Sequence, residues 1–130
     1  MKKAIYIAMA TLALAGVVFT SGCSTTTRRT GEQMAQAGQT QLAFKNLGAS
    51  KASVRDSLLT SLSLRKWNIL SDGDPIVAQI SHGGQLAKIS ATVSDGAIVF
   101  ETKGSNIGGS PYVPIRYVDM LMKTVRTNLK

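Results

Sequence analysis

With 130 residues, the chain has room for one domain around one small core, and loss of any targeting segment would shrink it further. Hydrophobic residues at 44% and charged residues at 17% fit a globular chain and exclude wholesale disorder. The formal charge of +8 favours anionic neighbours, and the single cysteine, Cys23, excludes an intramolecular disulfide, so packing alone must hold the fold.

The chain opens with a positive Met1-Lys2-Lys3, continues through an unbroken apolar or small-residue run over residues 4–19, and reaches Thr20-Ser21-Gly22-Cys23. A basic start, an apolar middle and small residues before a processing point are the three parts of an export signal. The run is shorter than the roughly 20 residues that a membrane-spanning helix prefers, which leaves a permanent transmembrane anchor as the alternative. Removing residues 1–22 takes Lys2 and Lys3 away and leaves 13 basic side chains against 7 acidic, a charge of +6.

Ser21-Gly22-Cys23 resembles the lipobox of bacterial lipoprotein precursors, with Thr20 where leucine is commonest. The resemblance implies cleavage between Gly22 and Cys23, a diacylglyceryl thioether on the Cys23 sulfur and an acyl group on the new amine. The membrane would then be reached through the lipid on Cys23, since each buried methylene contributes about 0.8 kcal/mol and two or three chains hold firmly. Ser24 follows the cysteine, where aspartate favours inner-membrane retention in enterobacterial lipoproteins. Similarity to that pattern implies the periplasmic face of the outer membrane.

Residues 23–45 read as the lipidated cysteine and a flexible tether, because Ser, Thr, Gln, Gly and Ala dominate and no apolar period is sustained. The folded domain is expected over residues 46–130. Ser53-Val54-Arg55-Asp56 has the form of a capping box, and Val54, Leu58 and Leu62, widened by Leu59, give the following helix one apolar face. Trp67-Asn68-Ile69-Leu70 reads as a short strand whose tryptophan plugs the core, and Ser71-Asp72-Gly73-Asp74-Pro75 reads as a turn.

Gly83-Gly84 and Asp95-Gly96 have the composition of two-residue hairpin turns, and that assumption fixes the register. Pairing outward from the first sets Ile80 opposite Ala87, Ala78 opposite Ile89 and Ile76 opposite Ala91. Pairing outward from the second sets Val93 opposite Ile98, Ala91 opposite Phe100 and Ile89 opposite Thr102. All of these share one face, because side chains alternate along a strand. The other face is mostly polar and brings Lys88 opposite Lys103.

A Gly- and Ser-rich connection over residues 104–113 leads to Pro114, which suits a first helical turn. Ile115, Val118, Leu121, Met122, Val125 and Leu129 recur at helical spacing. Arg116, Lys123, Arg126 and Lys130 share a wedge about 80° wide at about 100° per residue, with Asp119 placed to pair with Lys123. The wedge is a candidate anion- or membrane-contacting strip; a solvated helix face whose cations suit the helix C-terminus is the favoured reading.

The expected fold class is therefore α+β: an antiparallel meander of three or four strands with an N-terminal and a C-terminal helix on one face, in the order α-β-β-β-β-α. In this order Val54-Arg55, Arg65-Lys66-Trp67, Ile76-Val77-Ala78-Gln79-Ile80, Ala87-Lys88-Ile89 and Gly104-Ser105-Asn106 resemble the pattern of a family of small exported bacterial lipoproteins. The resemblance covers residues 54–129. It implies a fold and no reaction, and Tyr117 alone stands where that family has a Tyr-Asn-x-Trp-like segment.

No catalytic constellation emerges. His82 abuts the Gly83-Gly84 turn without a nucleophile, and it lacks partners at ligand spacing for a metal. Asp72 and Asp74 precede a proline and lack later calcium-loop ligands; Glu101 lacks an acidic partner; residues 104–109 lack the Gly-Lys-Ser/Thr ending of a phosphate loop. No cofactor, metal or nucleic-acid partner is expected. The expectation is a non-enzymatic, lipid-anchored binding or assembly module, its partner an envelope protein, a glycan or an anionic lipid. An inhibitor or immunity protein against an envelope-active enzyme is the alternative.

Overall fold

The computed structural model describes residues 24–129, with backbone alone at residues 24–28; Gly22, Cys23 and Lys130 lie outside the described residues. The chain folds as α1 (Ser24–Gln36), β1 (Gln41–Phe44), α2 (Lys51–Leu64), β2 (Asn68–Ser71), β3 (Ile76–His82), β4 (Gln85–Ser94), β5 (Ala97–Glu101), β6 (Asn106–Ile107), β7 (Ser110–Pro111) and α3 (Ile115–Asn128). It is an α+β fold whose main sheet runs β1-β5-β4-β3-β2, all antiparallel.

Both hairpin registers form as the turns dictate. Ile76, Ala78 and Ile80 face Ala91, Ile89 and Ala87, and Ala91 and Val93 face Phe100 and Ile98. Alternation puts Ile76, Ala78, Ala87, Ile89, Ala91, Val93, Ile98 and Phe100 on one buried face, where a large side chain opposite a small one lets helices lie close. Val54, Leu58 and Leu62 of α2 and Val118, Leu121, Met122 and Val125 of α3 complete that core.

The two helices meet through small side chains. Ser57 and Ser61, one turn apart on α2, are buried; the Ser57 hydroxyl donates to the Val125 carbonyl at 2.8 Å, and the Asn128 amide donates to Ser61 Oγ at 3.2 Å. Helix α2 starts one turn earlier than the capping pattern implies: Ser50 is the cap, its Oγ accepting from the Ser53 amide at 3.3 Å. Its end explains Arg65-Lys66-Trp67. Lys66 sits at φ 67°, the Trp67 amide donates to Leu62 O at 2.9 Å, and the Lys66 amide donates to Ser63 O at 3.1 Å. That is a Schellman stop with lysine in the left-handed position. Trp67, 6% exposed, turns inward and meets Tyr117 edge to face at 6.4 Å.

Three expectations need correction. Residues 24–44 are a helix and a strand where a tether was expected. Helix α1 ends in a second Schellman stop, with Gly38 at φ 79° and bonds from Gln39 N to Met34 O at 2.8 Å and from Gly38 N to Ala35 O at 3.0 Å. Strand β1 then pairs Leu42 with Phe100 and Phe44 with Ile98, so the meander gains an edge strand from the N-terminal side. The connection after β5 is also structured, as the β6–β7 hairpin. Finally, β5 ends at Glu101, so the pairings of Ile89 with Thr102 and Lys88 with Lys103 do not form.

The helix stop yields a test of sign. Replacing Lys66→Gly relieves a left-handed Cβ and is expected to raise unfolding stability by about 0.5–1 kcal/mol, whereas Phe100→Ala should lower it by about 3–5 kcal/mol. Urea unfolding followed by circular dichroism measures both.

Candidate functional site

Strand β4 changes partner along one edge. Residues Ser90–Ser94 pair with β5, while Gln85 and Leu86 pair with Ile107 and Asn106 of β6. Between the two, Ser105 serves Lys88: its Oγ accepts from the Lys88 amide at 2.8 Å and donates to the Lys88 carbonyl at 3.0 Å. One buried hydroxyl thus replaces a missing strand residue, which gives Gly104-Ser105-Asn106 a structural reason.

The β5–β1 and β6–β7 branches diverge from this point, and an open cleft of about 1050 Å³ lies between them. Met34 and Ala35 of α1, Gly38 just beyond it, Thr40, Glu101, Asn106 and Pro111 line it. Residues 102–105 line it as well. The Thr102 amide and hydroxyl both reach Thr40 O, at 3.0 and 2.7 Å, and Ser105 N donates to Thr102 O at 3.1 Å. Asn106 holds the tip, Nδ2 donating to Gly104 O at 3.4 Å and Oδ1 accepting from Gly109 N at 3.2 Å. Tyr112, also in the lining, is buried, its hydroxyl donating to Gln85 Oε1 at 3.2 Å.

Glu101 is the charged acceptor of the cleft. Its carboxylate takes the Thr40 hydroxyl and the Lys103 amide, the latter at 3.0 Å. The Thr40 bond most of all, then the Lys103 amide, the Gln41 side chain and the Lys103 charge hold its pKa below the ordinary 4.5, against partial burial. It is ionised at neutral pH. The hydroxyls of Thr40, Thr102 and Ser105 are spent on this carboxylate and on backbone groups. The cleft therefore offers a fixed negative acceptor, the ammonium of Lys103 and carboxamides, an arrangement suited to hydrogen-bonding a polar molecule.

The other residues that the sequence singles out lie elsewhere. His82 is exposed at the β3–β4 turn. Asp72 and Asp74 belong to the β2–β3 connection, which Arg55 grips by donating to the Asp72 and Gly73 carbonyls, the second at 2.9 Å; Asp74 pairs with Lys51 at 3.8 Å. Of the basic wedge, Arg116, Lys123 and Arg126 are all exposed, and Arg126 also lies over the Phe44 ring, 5.8 Å from its centroid, at the β1 edge of the core. Phe44 in turn meets Phe100 edge to face at 5.7 Å. Burial raises the Asp119 pKa, opposed by the charges of Lys123 and Arg126, and no salt bridge closes between Asp119 and Lys123 among the described residues.

The cleft as a unit was missed because most of its lining comes from the segments expected as tether and loop. Among the described residues, no group of three or more His, Cys, Asp or Glu side chains is placed to hold a metal, and no helix is long and apolar enough to cross a membrane. No family model matches the chain, and a search of curated proteins finds no match.

Two measurements follow from this geometry. Ser105→Ala leaves both Lys88 backbone groups without their partner and should cost about 2 kcal/mol in urea unfolding. The Glu101 carboxyl has a folded pKa below its unfolded one, so its stabilisation is present above about pH 5 and is lost as pH falls through the folded value. In Glu101→Gln that part of the acid limb should flatten in a stability–pH profile.

Proposed function

We propose that this chain is the precursor of a bacterial lipoprotein, cleaved between Gly22 and Cys23 and held at the periplasmic face of the outer membrane by acyl chains on Cys23. Its domain acts there as a non-enzymatic binding or assembly module. The observation that carries the anchoring is the order Lys2-Lys3, apolar residues 4–19 and Thr20-Ser21-Gly22-Cys23 in a chain with no other cysteine. An anchor of two or three acyl chains needs no spanning helix.

The cleft between the two sheet branches is the binding site in this reading. Its support is the Glu101 carboxylate, fixed by Thr40 and the Lys103 amide and kept ionised. A fixed negative charge disfavours an anionic lipid head group there and favours a neutral or amine-bearing polar ligand, such as a glycan or a segment of an envelope protein. Arg116, Lys123 and Arg126 of the last helix are exposed groups suited to anionic lipid, and an attraction of that kind weakens with salt.

In cell fractionation, the wild type is expected with membranes and with a mass showing acylation on Cys23, and Cys23→Ala is expected in the soluble fraction. A wild-type product that keeps Met1 or a free thiol and washes into the soluble fraction contradicts the anchoring. Crosslinking in intact envelopes should recover a partner that Glu101→Gln loses while Arg116→Ala keeps it.

A further inference from the structure

We infer that α1 is a rigid strut: the acyl chains on Cys23 seat the domain directly on the bilayer surface in one orientation, with the Glu101 cleft held on the far side of α1. This inference rests on the lipoprotein reading and adds to it a geometry that anchoring alone does not require.

Three features join the anchor position to the body without a free link. Helix α1 begins at Ser24, covalently next to Cys23. At its middle, Gly31 is buried against the segment before α3: its carbonyl accepts from the Val113 amide at 3.0 Å, and a Cβ built there would stand 2.3 Å from Val113 O. Two backbones touch at that point, so only glycine fits. Beyond Gly31 the Gly38 stop turns the chain into β1, which is hydrogen-bonded into the sheet through four residue pairs. From Ser24 to Phe44 the chain is fixed at its middle and at its end.

Distance and charge define the occupant. The 13 residues of α1 span about 20 Å at about 1.5 Å per residue, with the lipid position at one end and Met34, Ala35 and Gly38 of the cleft wall at the other. A flexible tether of similar length would have a comparable mean span while sampling every orientation. Arg29 falls in the second turn, near the lipid position, where there is no acidic residue in the first turn; Glu32 follows one turn later. A bilayer containing anionic lipid is the surface that this end of the helix meets.

The test uses the native lipidated protein in nanodiscs of phosphatidylcholine and phosphatidylglycerol carrying a spin-labelled head group. Paramagnetic broadening of amide signals is expected to be strong at residues 29–31 and absent at Gly38, Lys103 and Asn106. A six-residue Gly-Ser insertion after Ser24 is expected to abolish this one-sided pattern while leaving the domain's spectrum and the Cys23 lipid mass intact. Gly31→Leu, which unseats the helix, should do the same if the domain stays folded. Even broadening over the whole surface of the lipidated wild type, broadening as strong at the cleft as at residue 29, or a pattern that survives the insertion would each overturn the strut and leave the anchor standing. Absence of lipid on Cys23 would overturn both.

Discussion

The contact of Gly31 with Val113 is the constraint on which the N-terminal third depends. It joins carbonyl to amide at 3.0 Å, with no room for a side chain between the two backbones. A helix rich in threonine and interrupted by glycine has a poor intrinsic tendency to form, about 1 kcal/mol being lost at an interior glycine alone. Here the tertiary contact outweighs propensity. Once α1 is seated, Gly38 turns the chain, β1 reaches the open edge of β5, and Leu42 and Phe44 join the covered face of the sheet. Arg126 then lies over Phe44, which ties the last helix to the first strand.

The central sheet was legible because two turn signals overdetermined it. Gly83-Gly84 and Asp95-Gly96 each impose a register, and both registers put the same apolar residues on one face; a slip by one residue would have buried lysine, glutamine and serine. Helix α3 was equally legible from its apolar spacing. The N-terminal elements were not, because α1 packs through backbone and so leaves no apolar stripe to read. The signal that could have found them is Gly31 at mid-segment, a glycine just beyond Gln36-Ala37, and the alternation Gln41-Leu42-Ala43-Phe44. Hydrophobic periodicity records side-chain burial and is silent where main chains meet.

The same logic explains the motifs and the cleft. Lys66 stops a helix, Trp67 turns inward, Arg55 clamps a turn, and Ser105 stands in for a strand residue beside Lys88. These residues hold the frame, and the cleft is the space left where β4 exchanges β5 for β6. Its charged acceptor, Glu101, lies on the strand at the point of divergence, fixed by Thr40 from the segment that α1 delivers. The cleft was unreadable from sequence because Thr40 and Glu101 are 61 residues apart and meet only once the N-terminal segment has folded back. The basic wedge illustrates the converse. Arg116, Lys123 and Arg126 share an exposed helical face by spacing, yet the third also lies over an aromatic ring of β1 that spacing could not foresee.

Amide hydrogen exchange on the full protein tests most directly that residues 24–44 belong to the folded domain. The amides of Val113, bound to Gly31 O, and of Thr102, bound to Thr40 O, should exchange as slowly as those of the central strand β4, because opening either contact requires the N-terminal segment to detach. If Val113, Thr102 and the amides of residues 32–36 instead exchange at the rate of an unfolded chain while β4 stays protected, the segment is a tether, and the seat at Gly31 does not exist.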